Sequence, residues 1–158
     1  AHGRPAAEDS RARRRELSQA IAELASKRQL SGALDAFRQM EAEGLAPDTK
    51  AYGSLINAHV NSGDVEGAAE AFGRMRAAGL QANVVVYTAL LKGHCRVGDV
   101  ERAAALVDEM VGQEPPVLPD ARSVATFLRG CARVGDIAAA EALFNRLGEF
   151  GLTPDSAA

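Results

Sequence analysis

Six cationic side chains lie in three short stretches of the chain that contain no acidic residue. The stretches are residues 49–62, 84–97 and 121–134, and their cations are Lys50, Lys92, Arg96, Arg122, Arg129 and Arg133. The segments that alternate with them have a net charge of −6 and are residues 64–78, 99–111 and 136–149. The formal net charge of −3 argues by itself against a basic nucleic-acid-binding protein. If each kind of segment lines its own surface, however, the segregation gives one surface the charge that binds a phosphate backbone.

Few other residues suggest chemistry. His59 and His94 are too few for a metal site. Cys95 and Cys131 fall where small buried residues belong, and they are too few for a disulfide framework, so a reducing compartment is the default. No nucleophile motif, phosphate-binding loop or Gly-rich cofactor turn occurs. We therefore expect a binding protein rather than an enzyme, with no cofactor, no metal and no small-molecule substrate.

The chain repeats itself with a period of about 35 residues. Gly63-Asp64-Val65, for example, recurs as Gly98-Asp99-Val100 and again as Gly135-Asp136-Ile137. The predicted units are residues 14–48, 49–83, 84–120 (with a two-residue insertion) and 121–155. Residues 1–13 are expected to form a flexible basic lead-in, and residues 156–158 a tail or the start of a further repeat.

The residue pattern of each unit predicts two helices. Residues 51–60 and 87–96 have apolar side chains at helical spacing and are predicted first helices. A Gly-Asp pair such as Gly98-Asp99 then provides a left-handed cap and the next N-cap. The second helices are expected to end at Gly44, Gly79 and Gly151. Small residues are expected where the two helices of a unit come closest, at Ala33, Ala68, Ala103 and Ala140.

The residues 86–103 closely resemble the pentatricopeptide (PPR) repeat, as do residues 51–59 and 72–75. The Trp/Gly/Tyr/Ala/Pro pattern of the tetratricopeptide repeat is absent. The resemblance extends over residues 14–155, although Leu17 and Val124 replace the family's Tyr and Arg28 replaces the inter-helix Gly. It implies an all-α fold, a right-handed α-solenoid of four helix-turn-helix repeats. It also implies binding of single-stranded RNA in a mitochondrion or chloroplast, with roughly one base per repeat.

In the PPR family, the residue after the Tyr position and the last residue of a repeat together select a base. The resemblance assigns these pairs to Ser18 with Asp48, Gly53 with Asn83, Thr88 with Asp120, and Ala125 with Asp155. Thr88 with Asp120 resembles a guanine-reading pair, whereas Gly53 and Ala125 have no hydrogen-bonding side chain. The insertion could displace Asp120 from the base, and the acids of the Pro-Asp pairs could instead be turn residues.

The resemblance also assigns positions that contact phosphate or stack on bases. The spacer between bases corresponds to Arg15, Lys50, Val85 and Arg122, of which Val85 alone is aliphatic. Cations there could stack on a base or contact phosphate. The phosphate-contacting position holds Arg96 and Arg133, with Ser26 and Asn61 in the first two units. Lys92 and Arg129 belong to the same basic first helices, and solvated surface is the alternative for all these cations.

Two functions remain open from the sequence. One is an RNA-binding module that stabilises, processes or helps translate an organellar transcript. The other is an architectural component of an organellar ribosome or transcription complex that reads little sequence. Four repeats address only about four bases, which favours a longer array or further partners. The first residue is Ala rather than Met, as expected after removal of a leader or in part of a longer protein. No apolar stretch approaches the ~20 residues that cross a membrane.

Overall fold

The computed structural model describes residues 6–154, and this part of the chain consists of helices without any strand. The chain forms two compact units, residues 1–81 and 82–158. The helices of the first unit are α1 (Ala6–Ser26), α2 (Leu30–Ala42), α3 (Thr49–Asn61) and α4 (Val65–Ala77). Those of the second are α5 (Val84–Arg96), α6 (Val100–Val111), α7 (Ala121–Val134) and α8 (Ile137–Phe144), followed by a 3₁₀ helix at Leu147–Phe150. The all-α fold expected from the sequence is confirmed, and the repeat boundaries themselves stay a prediction.

Both units have the same packing scheme. In the first, α1 packs against α2 and α3, and α3 packs against α4; in the second, α5 packs against α6 and α7, and α7 against α8. A first helix therefore contacts both the second helix of its own hairpin and the first helix of the next. This arrangement places α1 beside α3 and α5 beside α7. The surface formed by α1 and α3 and the surface formed by α5 and α7 are thus each built within one unit.

Aliphatic residues form most of the core, which also buries both tyrosines and four of the five phenylalanines. Ala33, Ala68 and Ala103 are at most 1% exposed, as small residues between packed helices would be, and the closest approach of the helices at these positions stays a prediction. Ala140 is instead half-buried. The equivalent methionines of the second helices are fully buried and are Met40, Met75 and Met110.

The turns inside the hairpins follow the Gly-Asp pattern. Gly63, Gly98 and Gly135 have φ between 75° and 79°, the left-handed region in which a Cβ is unfavourable. The Asp that follows each glycine accepts a hydrogen bond from the backbone N–H three residues later and caps the second helix. Arg28, which replaces this glycine in the first hairpin, adopts φ 58°.

Two expected boundaries are wrong. The predicted flexible lead-in is helical from Ala6 onward, because alanines, arginines and an acidic first turn favour a helix there. Arg13 of this segment contacts Glu16 of the same helix and Glu43 after α2, each at 3.1 Å. The last second helix ends at Phe144 rather than at Gly151, and a 3₁₀ helix occupies most of the interval. Asn145 and Gly148 have low helix propensity, which favours this early end.

The two-residue insertion is confined to the loop after α6. Leu45 N–H and Leu80 N–H bond to the carbonyls of Met40 and Met75, five residues earlier. Val117 N–H makes the equivalent bond to Met110 O at 2.9 Å, seven residues earlier. The extra residues thus lie between Met110 and Val117, and the spacing from Val117 to Asp120 equals that from Leu45 to Asp48.

No helix between residues 6 and 154 is both long enough and apolar enough to cross a membrane.

Candidate nucleic-acid interface

One face of the second unit contains eight of the predicted RNA-contacting residues. Spacings of three, four and four residues place side chains on one side of a helix. On α5 this spacing connects Val85, Thr88, Lys92 and Arg96, and on α7 it connects Arg122, Ala125, Arg129 and Arg133. Because α5 and α7 pack together, the two rows are adjacent. We call these eight residues the α5–α7 face.

The α5–α7 face is positive without any acid on its own helices. Its five cations lie on helices that contain no Asp or Glu. Lys92 is half-buried, and the four arginines are exposed. The acids of this unit lie mainly on and around α6 and α8, where Arg146 contacts Asp108 at 2.6 Å and Glu149 at 3.0 Å. The charge segregation expected from the sequence therefore exists within one packed unit.

Three side chains at one end of this face form a hydrogen-bonded cluster. The Thr88 hydroxyl lies 2.7 Å from Val84 O and 2.8 Å from the Ser123 hydroxyl. Asp120 Oδ1 accepts the Ser123 backbone N–H at 2.8 Å and the Ser123 hydroxyl at 2.9 Å. Ser123 is 1% exposed, whereas Asp120 is exposed and Thr88 half-buried. The structure thus brings together the predicted pair Thr88 and Asp120, with Ser123 between them.

Three of the predicted closing residues lie in the described part of the chain, and each is the N-cap of the next first helix. Asp48, Asn83 and Asp120 have φ between −95° and −99° and ψ between 178° and 180°. Each accepts a hydrogen bond from the backbone N–H three residues later, at 2.8–3.0 Å. Asp120 keeps the same cap geometry as the other two, so the insertion does not displace it from this position. Asp155 lies outside the described residues.

The matching positions of the first unit are much less suited to a polyanion. The rows there are Arg15, Ser18, Ala22 and Ser26 on α1 and Lys50, Gly53, Asn57 and Asn61 on α3. Ser18 is 4% exposed and its hydroxyl has no hydrogen-bond partner among the described residues, so its burial disfavours a base contact. Asn61 donates to Ala25 O at 3.0 Å. Arg15 and Lys50 are the only cations of these two rows.

His59, Cys95 and Cys131 lie outside the α5–α7 face and have packing roles. His59 is 8% exposed, and its Nδ1 lies 2.9 Å from Asp64 Oδ2. The Gly67 N–H and the His59 ring hold the pKa of Asp64 below its usual value. Burial raises the pKa of the Cys95 thiol to about 11 and raises that of Cys131 as well, so both are poor nucleophiles and metal ligands. Among residues 6–154, no three His, Cys, Asp or Glu side chains are grouped to hold a metal ion.

Ser123 is the residue of this site that the sequence prediction missed. Its slot, three residues after the closing residue, holds buried Ala51 and Val86 in the two preceding hairpins. The signal was a hydroxyl residue at the N3 position after Asp120, which forms a reciprocal capping box.

The family model for the pentacotripeptide-repeat region of PRORP matches residues 6–157. The chain therefore belongs to the pentatricopeptide-repeat family. No curated protein sequence matches it.

Several solved structures are similar to this chain. The crystal structure of the pentatricopeptide repeat protein PPR10 from maize has a TM-score of 0.79 at 21% identity, over 87% of this chain and 20% of that chain. The PPR domain of Arabidopsis thaliana protein-only RNase P 1, in complex with tRNA, has a TM-score of 0.66 at 25% identity, over 81% and 66%. Nuclear proteinaceous RNase P 2 from A. thaliana has a TM-score of 0.73 at 16% identity. That match covers 87% of this chain and 31% of the RNase P 2 chain. The chain spans about a fifth of the PPR10 chain, and these likenesses establish the fold.

Proposed function

We propose that this chain binds single-stranded RNA along the α5–α7 face and acts as a binding module rather than as an enzyme. The observation that supports this most strongly is the row of five cations on two adjacent helices that contain no acid. Phosphate neutralisation by Lys and Arg supplies most of the sequence-independent affinity for nucleic acids. PPR10 has been crystallised with an 18-nt psaJ RNA element and the RNase P 1 PPR domain with tRNA, which supports RNA as the ligand class.

Base selection in this unit is assigned to Thr88 and Asp120, which resemble the guanine-reading pair of the family. The hairpins with Gly53 and Ala125 contribute little hydrogen bonding to a base, and Ser18 is buried. Most of the affinity is therefore electrostatic, and the sequence preference comes mainly from one position. The biological role that we propose is stabilisation, processing or translation of a transcript in a mitochondrion or chloroplast.

The test is equilibrium binding of fluorescent single-stranded RNA of about eight nucleotides, compared with a duplex of the same sequence. The wild-type chain is compared with Lys92→Glu/Arg96→Glu/Arg129→Glu/Arg133→Glu. We expect the wild type to prefer single strands and the variant to lose binding by at least tenfold at 50 mM salt, because four cations become anions beside the RNA. Equal, weak binding of both proteins would contradict the proposal. Circular dichroism of both proteins checks that the helices are retained.

The second candidate function is an architectural role in an organellar ribosome or transcription complex, with little base reading. The buried Ser18 and the absence of a polar side chain at Gly53 favour it. This candidate predicts that RNA binds with the same affinity whatever its sequence. A tagged full-length protein located by fluorescence microscopy tests the organellar assignment common to both candidates.

A further inference from the structure

We propose that Ser123 is a positioning residue for base selection: it joins Thr88 to Asp120 so that the pair presents only hydrogen-bond acceptors to the base. The inference rests on the proposed function. It assigns to Ser123, a residue of the following helix, a part in the reading of the preceding repeat.

The cluster contains more acceptors than hydrogens. Thr88 and Ser123 have one hydroxyl hydrogen each. These hydrogens have three possible contacts. The Thr88 hydroxyl lies 2.7 Å from Val84 O and 2.8 Å from the Ser123 hydroxyl, and the Ser123 hydroxyl lies 2.9 Å from Asp120 Oδ1. When the two hydrogens make two of these three contacts, both are used inside the cluster. What remains for a ligand is a lone pair of Thr88 and the Asp120 carboxylate.

Ser123 also fixes which carboxylate oxygen is available. Its N–H and its hydroxyl both bond to Asp120 Oδ1, and among the described residues Oδ2 has no such partner. The carboxylate is thus held in one orientation, with Oδ2 left for the base. The Thr88 lone pair and Asp120 Oδ2 are two adjacent acceptors. They match the base edge of guanine, which has adjacent N–H donors on its ring and its amino group. They do not match adenine, because its ring nitrogen at that edge is an acceptor.

The two preceding hairpins provide an internal comparison. Ala51 and Val86 occupy the slot of Ser123 and have no hydroxyl. In those hairpins the cap bond from the backbone N–H is retained, at 2.9 Å for Asp48 and 3.0 Å for Asn83. The hydroxyl is therefore unnecessary for capping a first helix, and replacing it leaves the cap in place. A loss of base discrimination in Ser123→Ala is thus separable from a loss of the fold.

The experiment compares two single-stranded probes, an eight-nucleotide uridine strand with a central guanine and the same strand with a central adenine. We expect the wild type to favour the guanine probe by about tenfold, and Ser123→Ala to favour it by about twofold or less, because one bond that orients a charged group is lost. Affinity for the all-uridine strand should change less than twofold. Ser123→Thr, which keeps the hydroxyl, should retain the preference.

Thr88→Val provides a second route to the same result, since it removes the other end of the bond. Thr88→Val also removes the Thr88 lone pair that is presented to the base, so the double variant Thr88→Val/Ser123→Ala should be no less selective than Thr88→Val alone. An unchanged guanine preference in Ser123→Ala would overturn the inference while RNA binding itself stands. Absence of RNA binding by the wild type would overturn the proposed function and this inference with it.

Discussion

Removing two arginines from the α5–α7 face should halve the salt dependence of RNA binding. The perturbation is Arg96→Gln with Arg133→Gln, the matching last positions of the two rows. Each phosphate neutralised on a single strand contributes about 0.7 to the slope of log K against log salt. If Lys92, Arg96, Arg129 and Arg133 each neutralise one phosphate, the wild-type slope is about −2.8, and the variant retains two contacts and a slope of about −1.4.

The difference is large enough to measure by fluorescence anisotropy. Between 50 and 200 mM salt, the wild-type affinity should fall about 50-fold and that of the variant about sevenfold. The matched control is Arg38→Gln with Arg102→Gln, which removes two exposed cations from α2 and α6. This control has the same net charge as the test variant and should keep the wild-type slope. Equal slopes for the two double variants would refute the claim that the face, rather than the overall charge, binds phosphate.

Three further predictions concern the stability and packing of the two units. A Cβ at Gly130 would lie 2.5 Å from Cys95 Sγ, so Gly130→Ala should lower the free energy of unfolding by about 1–3 kcal/mol, measured by urea denaturation. Gly73 is a helical site where an added Cβ would have no atom within 4 Å. Gly73→Ala should therefore raise the free energy of unfolding by about 0.5–1 kcal/mol. Gly67 and His59 lower the pKa of Asp64 in the folded chain. The stability that this carboxylate contributes should therefore be present above its unfolded pKa and be lost as pH falls through its folded pKa. The free energy of unfolding of Asp64→Asn should depend less on acid pH than that of the wild type, and an identical pH dependence would contradict this. With a thiol pKa of about 11, Cys95 should react with iodoacetamide at pH 8 at least tenfold more slowly in the folded chain than in urea, and equal rates would show that it is accessible.

Much of the fold was predictable because the repeat specifies its own turns. Gly98 and Asp99 mark a left-handed turn and an N-cap, and both occur as expected. The two boundary errors came from judging segments by composition: the Arg-rich residues before Arg14 read as a flexible lead-in, and nothing before Gly151 marked the end of α8. In each case short-range helix propensity and side-chain contacts decided the boundary.

The candidate site was predictable in its charges and less so in its hydrogen bonding. The cations could be placed on first helices from their spacing alone, since adjacent first helices share a surface in a stacked hairpin fold. The role of Asp120 could not be resolved from the sequence, because its position depends on how the inserted loop returns to the helix. Val117 restores the spacing through a backbone bond to Met110. The link from Ser123 to Thr88 is a contact between two helices, which the local sequence does not reveal.

The most direct test of the account is photocrosslinking of the chain to single-stranded RNA that contains 4-thiouridine, with the crosslinked peptides identified by mass spectrometry. The account predicts crosslinks in residues 85–96 and 122–133, and their loss when four cations of the α5–α7 face are changed to Glu. Crosslinks located on α6 or α8, or crosslinks that persist in the charge-reversed variant, would contradict it.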